Sequence, residues 1–196
     1  MPKNNLIRAF ICIDFPSKVI KEVTRIQELI KNNSPFIGKL TEPENLHMTL
    51  KFLGEVEKEK IDIVKEKLSK INFPILNLKL NKVGIFSHGR EPRIVWLKVI
   101  GNIFHLQKEI DNSLSNTFPK EERFMSHLTI ARIKHTKDKA GFINYIKNIK
   151  PKPLTFEVNS FKLKSSELKP LGPVYTTIKA YSLWPSNSLS FSYCSG

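Results

Sequence analysis

The sequence predicts an α+β protein, with two lobes of antiparallel sheet lining a central cleft and helices on the outside. Three observations predict it. Short apolar strands and amphipathic helices interleave up to Trp184. The strand-like segments alternate apolar and polar residues, as antiparallel sheets with one covered face do. And one pattern occurs twice: Leu46-His47-Met48-Thr49-Leu50 returns 80 positions later as Ser126-His127-Leu128-Thr129-Ile130. The halves around these two stretches carry helices of similar length, which suggests a duplicated unit about a pseudo-twofold axis.

The elements follow in order. Residues 6–13 read as a strand. Pro16-Ser17 then opens a helix with Val19, Ile20, Val23, Ile26 and Ile30 at helical spacing. Asn32-Asn33-Ser34-Pro35 stops it, and 36–40 is a short strand. Pro43-Glu44-Asn45 leads into the first His strand, which runs to about Val56. Residues 57–71 form a charged helix on Ile61, Val64 and Leu68. Residues 73–83 alternate as Leu76, Leu78 and Leu80, a strand. Residues 86–92 read as a loop, 93–99 as a strand and 103–114 as a helix. Lys120 to Arg123 is a solvated turn before the second His strand. A short helix over 137–149 ends at Pro151 and Pro153. Residues 154–163 and 174–183 read as a final antiparallel pair, joined by a breaker-rich loop. No Pro- or Gly-rich linker divides the halves, so 1–184 reads as one bilobal unit. From Pro185 the chain is rich in Ser and Asn without a period, and 185–196 is expected to be a disordered tail.

The charge points to an anionic partner. The chain of 196 residues has 32 basic and 18 acidic residues, a net charge of +14. Nucleic acid is the first candidate for such a surface. The competing reading is a merely solvated surface, since 26 of the 32 are lysines spread along the chain. The apolar stretch at 6–13 is short, carries Arg8 and lacks a cleavage site. No apolar run approaches the ~18 to 20 residues of a membrane span. The expectation is a cytoplasmic protein that makes no membrane contact. Cys12 sits in a strand and Cys194 near the end, so neither a disulfide framework nor a cysteine metal site is expected.

In an extended strand, alternate side chains share a face. His47 with Thr49, and His127 with Thr129, therefore each present an imidazole and a hydroxyl opposite an apolar anchor. Chance predicts about 0.2 His-x-Thr triplets in a chain of this composition. One would be ordinary on a structural strand; two in matching contexts are equipment for proton transfer around an oxyanion. No His-x-x-x-His, cysteine or acidic cluster accompanies them, so neither a metal nor a cofactor is expected. No glycine-rich phosphate loop appears. His88, His105 and His135 lack the pattern and read as structural or solvated.

Further stretches accompany the motifs: Arg8-Ala9-Phe10-Ile11-Cys12-Ile13-Asp14, Leu46 through Gly54, Pro92-Arg93-Ile94-Val95-Trp96, His127 through Arg132, and Leu163-Lys164-Ser165-Ser166 through Gly172-Pro173-Val174-Tyr175. On these the chain resembles the two-histidine phosphoesterase superfamily. Within it, the chain is most similar to RNA 2',3'-cyclic phosphodiesterases of the bacterial and archaeal 2'-5' RNA ligase group. The resemblance implies metal-independent opening of RNA 2',3'-cyclic phosphate ends to 2'-phosphates, on RNA ends that include tRNA fragments, by a monomer. Reverse 2'-5' ligation follows from microscopic reversibility. The resemblance makes His47 the proton donor and His127 the proton acceptor; the residues alone do not distinguish them. Thr49 and Thr129 would donate to non-bridging phosphate oxygens.

By the same resemblance Arg132 is a phosphate ligand. Strict alternation points it away from His127, so a bulge would have to re-aim it. Phe10 is either a ring that stacks on a base or a core residue. Two alternative functions share the pattern: an RNA-end binding module without turnover, and a phosphodiesterase for small cyclic-phosphate nucleotides.

Overall fold

A computed structural model describes residues 6–170 and 172–184. The tail expected over 185–196 lies outside the described residues. Nine strands and four helices occur among those described, in the order β1 (Leu6–Asp14), α1 (Ser17–Asn33), β2 (Ile37–Leu40), β3 (His47–Glu57), α2 (Lys58–Ser69), β4 (Leu76–His88), β5 (Glu91–Gly101), α3 (Ile103–Leu114), β6 (His127–His135), α4 (Lys139–Asn148), β7 (Thr155–Val158), β8 (Ser160–Lys169) and β9 (Gly172–Ser182). A 3-10 turn, Pro43–Asn45, precedes β3.

The strands form two antiparallel sheets, ordered β3-β1-β8-β9 and β2-β6-β5-β4-β7. Each His strand pairs with the strand that opens its own repeat, β3 with β1 and β6 with β5. The duplication expected from the sequence is therefore β1-α1-β3-α2 answered by β5-α3-β6-α4. The repeats are interlocked rather than side by side. α1 packs on β6 of the second sheet, while α3 packs on β3 of the first. β2 joins β6, and β8 joins β1. Each lobe is thus built from both halves of the chain.

The apolar periodicity accounts for this packing. Val19, Val23, Ile26 and Ile30 of α1 are fully buried at helical spacing, and burying each stabilises by ~1.5–3 kcal/mol. α1 has no side-chain N-cap, so packing rather than capping holds it. Buried apolar side chains from both sheets and all four helices join in one continuous cluster. No helix among the described residues is long and apolar enough to cross a membrane.

Three segments differ from the sequence expectation. The loop expected at 86–92 is a tight hairpin: β4 runs to His88, β5 begins at Glu91, and His88 pairs with Glu91. Gly89 makes the turn at φ 57, a left-handed conformation glycine adopts without strain. The Gly-Arg-Glu-Pro run signals a turn but not its brevity. The strand expected at 154–163 is two strands on different sheets, β7 on β4 and β8 on β1. The buried phase changes from Phe156 and Val158 to Phe161 and Leu163, and the chain switches sheets at that change. The breaker-rich loop at 165–173 is mostly hairpin, because β8 continues to Lys169 and β9 resumes at Gly172.

Candidate active site

Both His strands carry the same irregularity. In β3, Cys12 of β1 pairs with Thr49 and Ile11 with Lys51, which leaves Leu50 as an extra residue. In β6, Trp96 of β5 pairs with Thr129 and Val95 with Ala131, which leaves Ile130 extra. These are β-bulges at the fourth position of each motif. Each puts two successive side chains on the core side: Leu50 with Lys51, and Ile130 with Ala131. Alternation then resumes in the other phase. Phe52 and Arg132, which strict alternation would turn away from the histidines, both emerge on the cleft face. The re-aiming that Arg132 requires is thus built into the strand.

His47, Thr49, His127, Thr129, Arg132 and Phe10 all line one cleft of ≈ 920 Å³ between the sheets. The two imidazoles are held alike. His47 Nδ1 lies 2.7 Å from the Asn45 carbonyl oxygen, and His127 Nδ1 lies 2.7 Å from that of Met125. A carbonyl only accepts, so Nδ1–H donates in both, and Nε2 is left free to take or give a proton. Local structure fixes these carbonyls. The 3-10 turn ends at Asn45, whose side chain donates to Glu42. Beside Met125, buried Ser126 donates Oγ–H to the Val99 carbonyl at 2.6 Å, and its own carbonyl accepts the Val99 N–H at 3.1 Å.

Aromatic rings support both imidazoles. Tyr175 of β9 meets His47 edge-on at 5.0 Å and 83°. Phe86 of β4 meets His127 at 5.1 Å and 83°. Phe10 adds a third ring, 4.9 Å from His47 and 5.1 Å from Tyr175. Phe10 is only 4% exposed, whereas Phe52 beside it is 69% exposed. The ring open to a ligand is Phe52.

Charge beneath the first motif tunes it. Burial pushes the His47 imidazole below its ordinary 6.5, the bond to the Asn45 carbonyl opposes this, and nearby Lys164 and Arg132 push it further down while Asp14 pulls it up. Asp14 is the β1 partner of His47. Burial raises the Asp14 carboxyl, but bonds from Lys162 at 2.7 Å and Lys164 at 2.6 Å outweigh burial and hold it low. Burial pushes the Cys12 thiol up to about 12, which makes it inert.

Sequence reasoning missed Phe52, Phe86 and Tyr175. Phe86 and the turn before Tyr175 lie in segments whose composition signals loop, and Phe52 is in the wrong phase for a strand without a bulge. His88, His105 and His135 are exposed and outside the cleft. Among the described residues, no three His, Cys, Asp or Glu side chains cluster as a metal site.

The family described as LigT like Phosphoesterase matches residues 13–96 and 98–175. A Methanocaldococcus jannaschii protein named RNA 2',3'-cyclic phosphodiesterase is 37% identical over 179 residues, covering 89% of this chain and 100% of the relative. A Thermotoga maritima protein of the same name is 35% identical over 177 residues, covering 88% and 93%. The crystal structure of TT0787 from Thermus thermophilus shares the fold, with a TM-score of 0.72 at 24% identity over 92% of this chain and 100% of that one.

Proposed function

This chain belongs to the LigT-like phosphoesterase family, and we propose that it opens RNA 2',3'-cyclic phosphate ends to 2'-phosphates by acid–base catalysis between His47 and His127. The observation that carries the proposal is the matched pair of Nδ1–carbonyl bonds, which leaves both Nε2 atoms available for proton exchange at one cleft. Neutral His127 takes a proton from water as the water oxygen bonds to phosphorus. The bond from phosphorus to the ribose 3'-oxygen breaks, and protonated His47 gives that oxygen its proton. Thr49 and Thr129 donate to the non-bridging oxygens, and Arg132 balances the charge that builds on them.

The low proton affinity of His47 in the free protein is compatible with the donor role. Burial lowers it most, with Lys164 and Arg132 adding to that, and an anionic phosphate offsets the field of the two cations when it binds. Arg8, Lys39, Arg123 and Arg132 line the cleft, which supports an RNA substrate rather than a small nucleotide. Phe52 offers a face for a base, the usual mode of single-stranded RNA recognition. Phe10 lies beneath it as support for the His47 ring.

The test is product analysis with EDTA present, on RNA oligonucleotides, a tRNA fragment and a mononucleotide, each ending in a 2',3'-cyclic phosphate. The expected result is a 2'-phosphate, formed fastest on the RNAs. Activity lost in EDTA and restored by one divalent ion would overturn the mechanism, and binding without turnover would leave an RNA-end binding module.

A further inference from the structure

Each bulge that turns a side chain into the cleft is gripped by a helix from the other repeat. In the second motif the grip is Gln27 of α1, a buried side chain 5% exposed. Its Nε2 donates to the Ile130 carbonyl at 2.8 Å and to the Thr41 carbonyl at 2.8 Å. Both amide hydrogens are thereby used. The Thr41 N–H also donates to the Ile130 carbonyl, at 3.0 Å. Ile130 is the extra residue of the β6 bulge. Thr41 lies just before the turn whose Asn45 carbonyl orients His47. One amide thus ties the bulge that aims Arg132 to the lead-in of the first His strand.

The first motif has a counterpart built differently. Its bulge carries Lys51 where the second carries Ala131. Lys51 turns inward and pairs with Asp111 of α3. The second bulge has no side chain long enough to do this, and Gln27 reaches in from α1 to the backbone instead.

We propose that Gln27 is a positioning residue, which holds the Ile130 bulge so that Arg132 meets the phosphate. This rests on the reading of the cleft as a phosphoester site. The geometry makes the dependence specific. Ile130 has no partner on β5, so its carbonyl is held instead by the Gln27 amide together with the Thr41 N–H. If the bulge slips, the residues beyond it change face, and Arg132 leaves the cleft.

The test is a double-mutant cycle on Gln27→Met and Arg132→Ala, read by titration with inorganic phosphate and by kcat and KM on a cyclic-phosphate RNA. Gln27→Met should weaken phosphate binding roughly tenfold, the effect of misplacing one charge-assisted hydrogen bond. KM should rise with it, and the shape of the pH–rate profile should persist. In the Arg132→Ala background, Gln27→Met should change phosphate affinity by less than about twofold, as non-additivity requires. Equal losses in both backgrounds, or an unchanged affinity with only a lower melting temperature, would reduce Gln27 to a structural role and overturn the proposal. Gln27→Asn, whose shorter amide cannot span both carbonyls, stands in if Gln27→Met does not fold. A wild type that binds phosphate but hydrolyses nothing would sink the catalytic reading alone, and the phosphate titration would still decide Gln27.

Discussion

Removing the Asp111 carboxylate should be among the most damaging single changes outside the cleft. Lys51 and Asp111 form an ion pair with side chains only 3% and 8% exposed. Lys51 also donates to the Pro119 carbonyl at 2.7 Å, and Asp111 Oδ2 accepts the Glu121 N–H at 2.7 Å. The pair thereby ties β3 to the segment that leads into β6. Asp111→Ala leaves a buried ammonium facing one carbonyl. Breaking a buried pair from one side costs ~3–5 kcal/mol. At roughly 2–4 °C per kcal/mol for a chain of this length, Tm should fall by about 6–20 °C. Replacing both partners, as Lys51→Met with Asp111→Leu, should recover most of the loss, because no unpaired charge remains. Thermal melts followed by circular dichroism measure both. A drop under about 2 °C for Asp111→Ala would refute the reasoning, since the scale for a stranded charge is several-fold larger.

The pH dependence of that stability has a definite sign. Burial raises the Asp111 carboxyl, but the bond from Lys51 and the Glu121 N–H outweigh it and hold it below its ordinary 3.8. The stabilisation is complete above the unfolded value and is lost as pH falls through the folded one. The wild type should therefore lose more stability in acid than Asp111→Ala does.

Three further predictions concern the cleft. His47→Ala and His127→Ala should each lower kcat by roughly 10²–10⁴-fold, and the double variant should fall far short of the product of the two; a folded single variant with full activity would refute the assignment. In His127→Ala the remaining rate should depend on protonated His47 alone, so kcat/KM should fall as pH rises, with a midpoint below 6.5. Adding Lys164→Met, which removes a charge that depresses His47, should move that midpoint upward; a residual rate that rises with pH would reverse the roles of the two histidines. RNA affinity should drop as salt is added, by a log–log slope of about 0.7 for each phosphate engaged; a dissociation constant flat between low and moderate salt would make the +14 charge a solvated surface only.

Much of the site was legible because its signals are local. His-x-Thr on a strand shares a face whatever the strand packs against, and the apolar partners Met48, Leu50, Leu128 and Ile130 are all buried as alternation requires. The helices were legible from their apolar spacing, to the residue for Ile103–Leu114. The bulges were not, because a residue excluded from a ladder is defined by its neighbour strand. Arg132 stood five positions from His127, on the wrong face of a regular strand, until β5 skipped Ile130.

Antiparallel pairing and the shared face of each histidine with its threonine are written in local pattern, because period-two and period-3.6 repeats decide which side of each element is wet. What surrounds those histidines depends on long-range packing. Gln27 meets Ile130 across 103 positions and Lys51 meets Asp111 across 60. Tyr175 closes on His47 from a hairpin at the far end of the chain. Such contacts follow from the exchange of helices and strands between the lobes, and no local pattern encodes which distant element will cover a bulge.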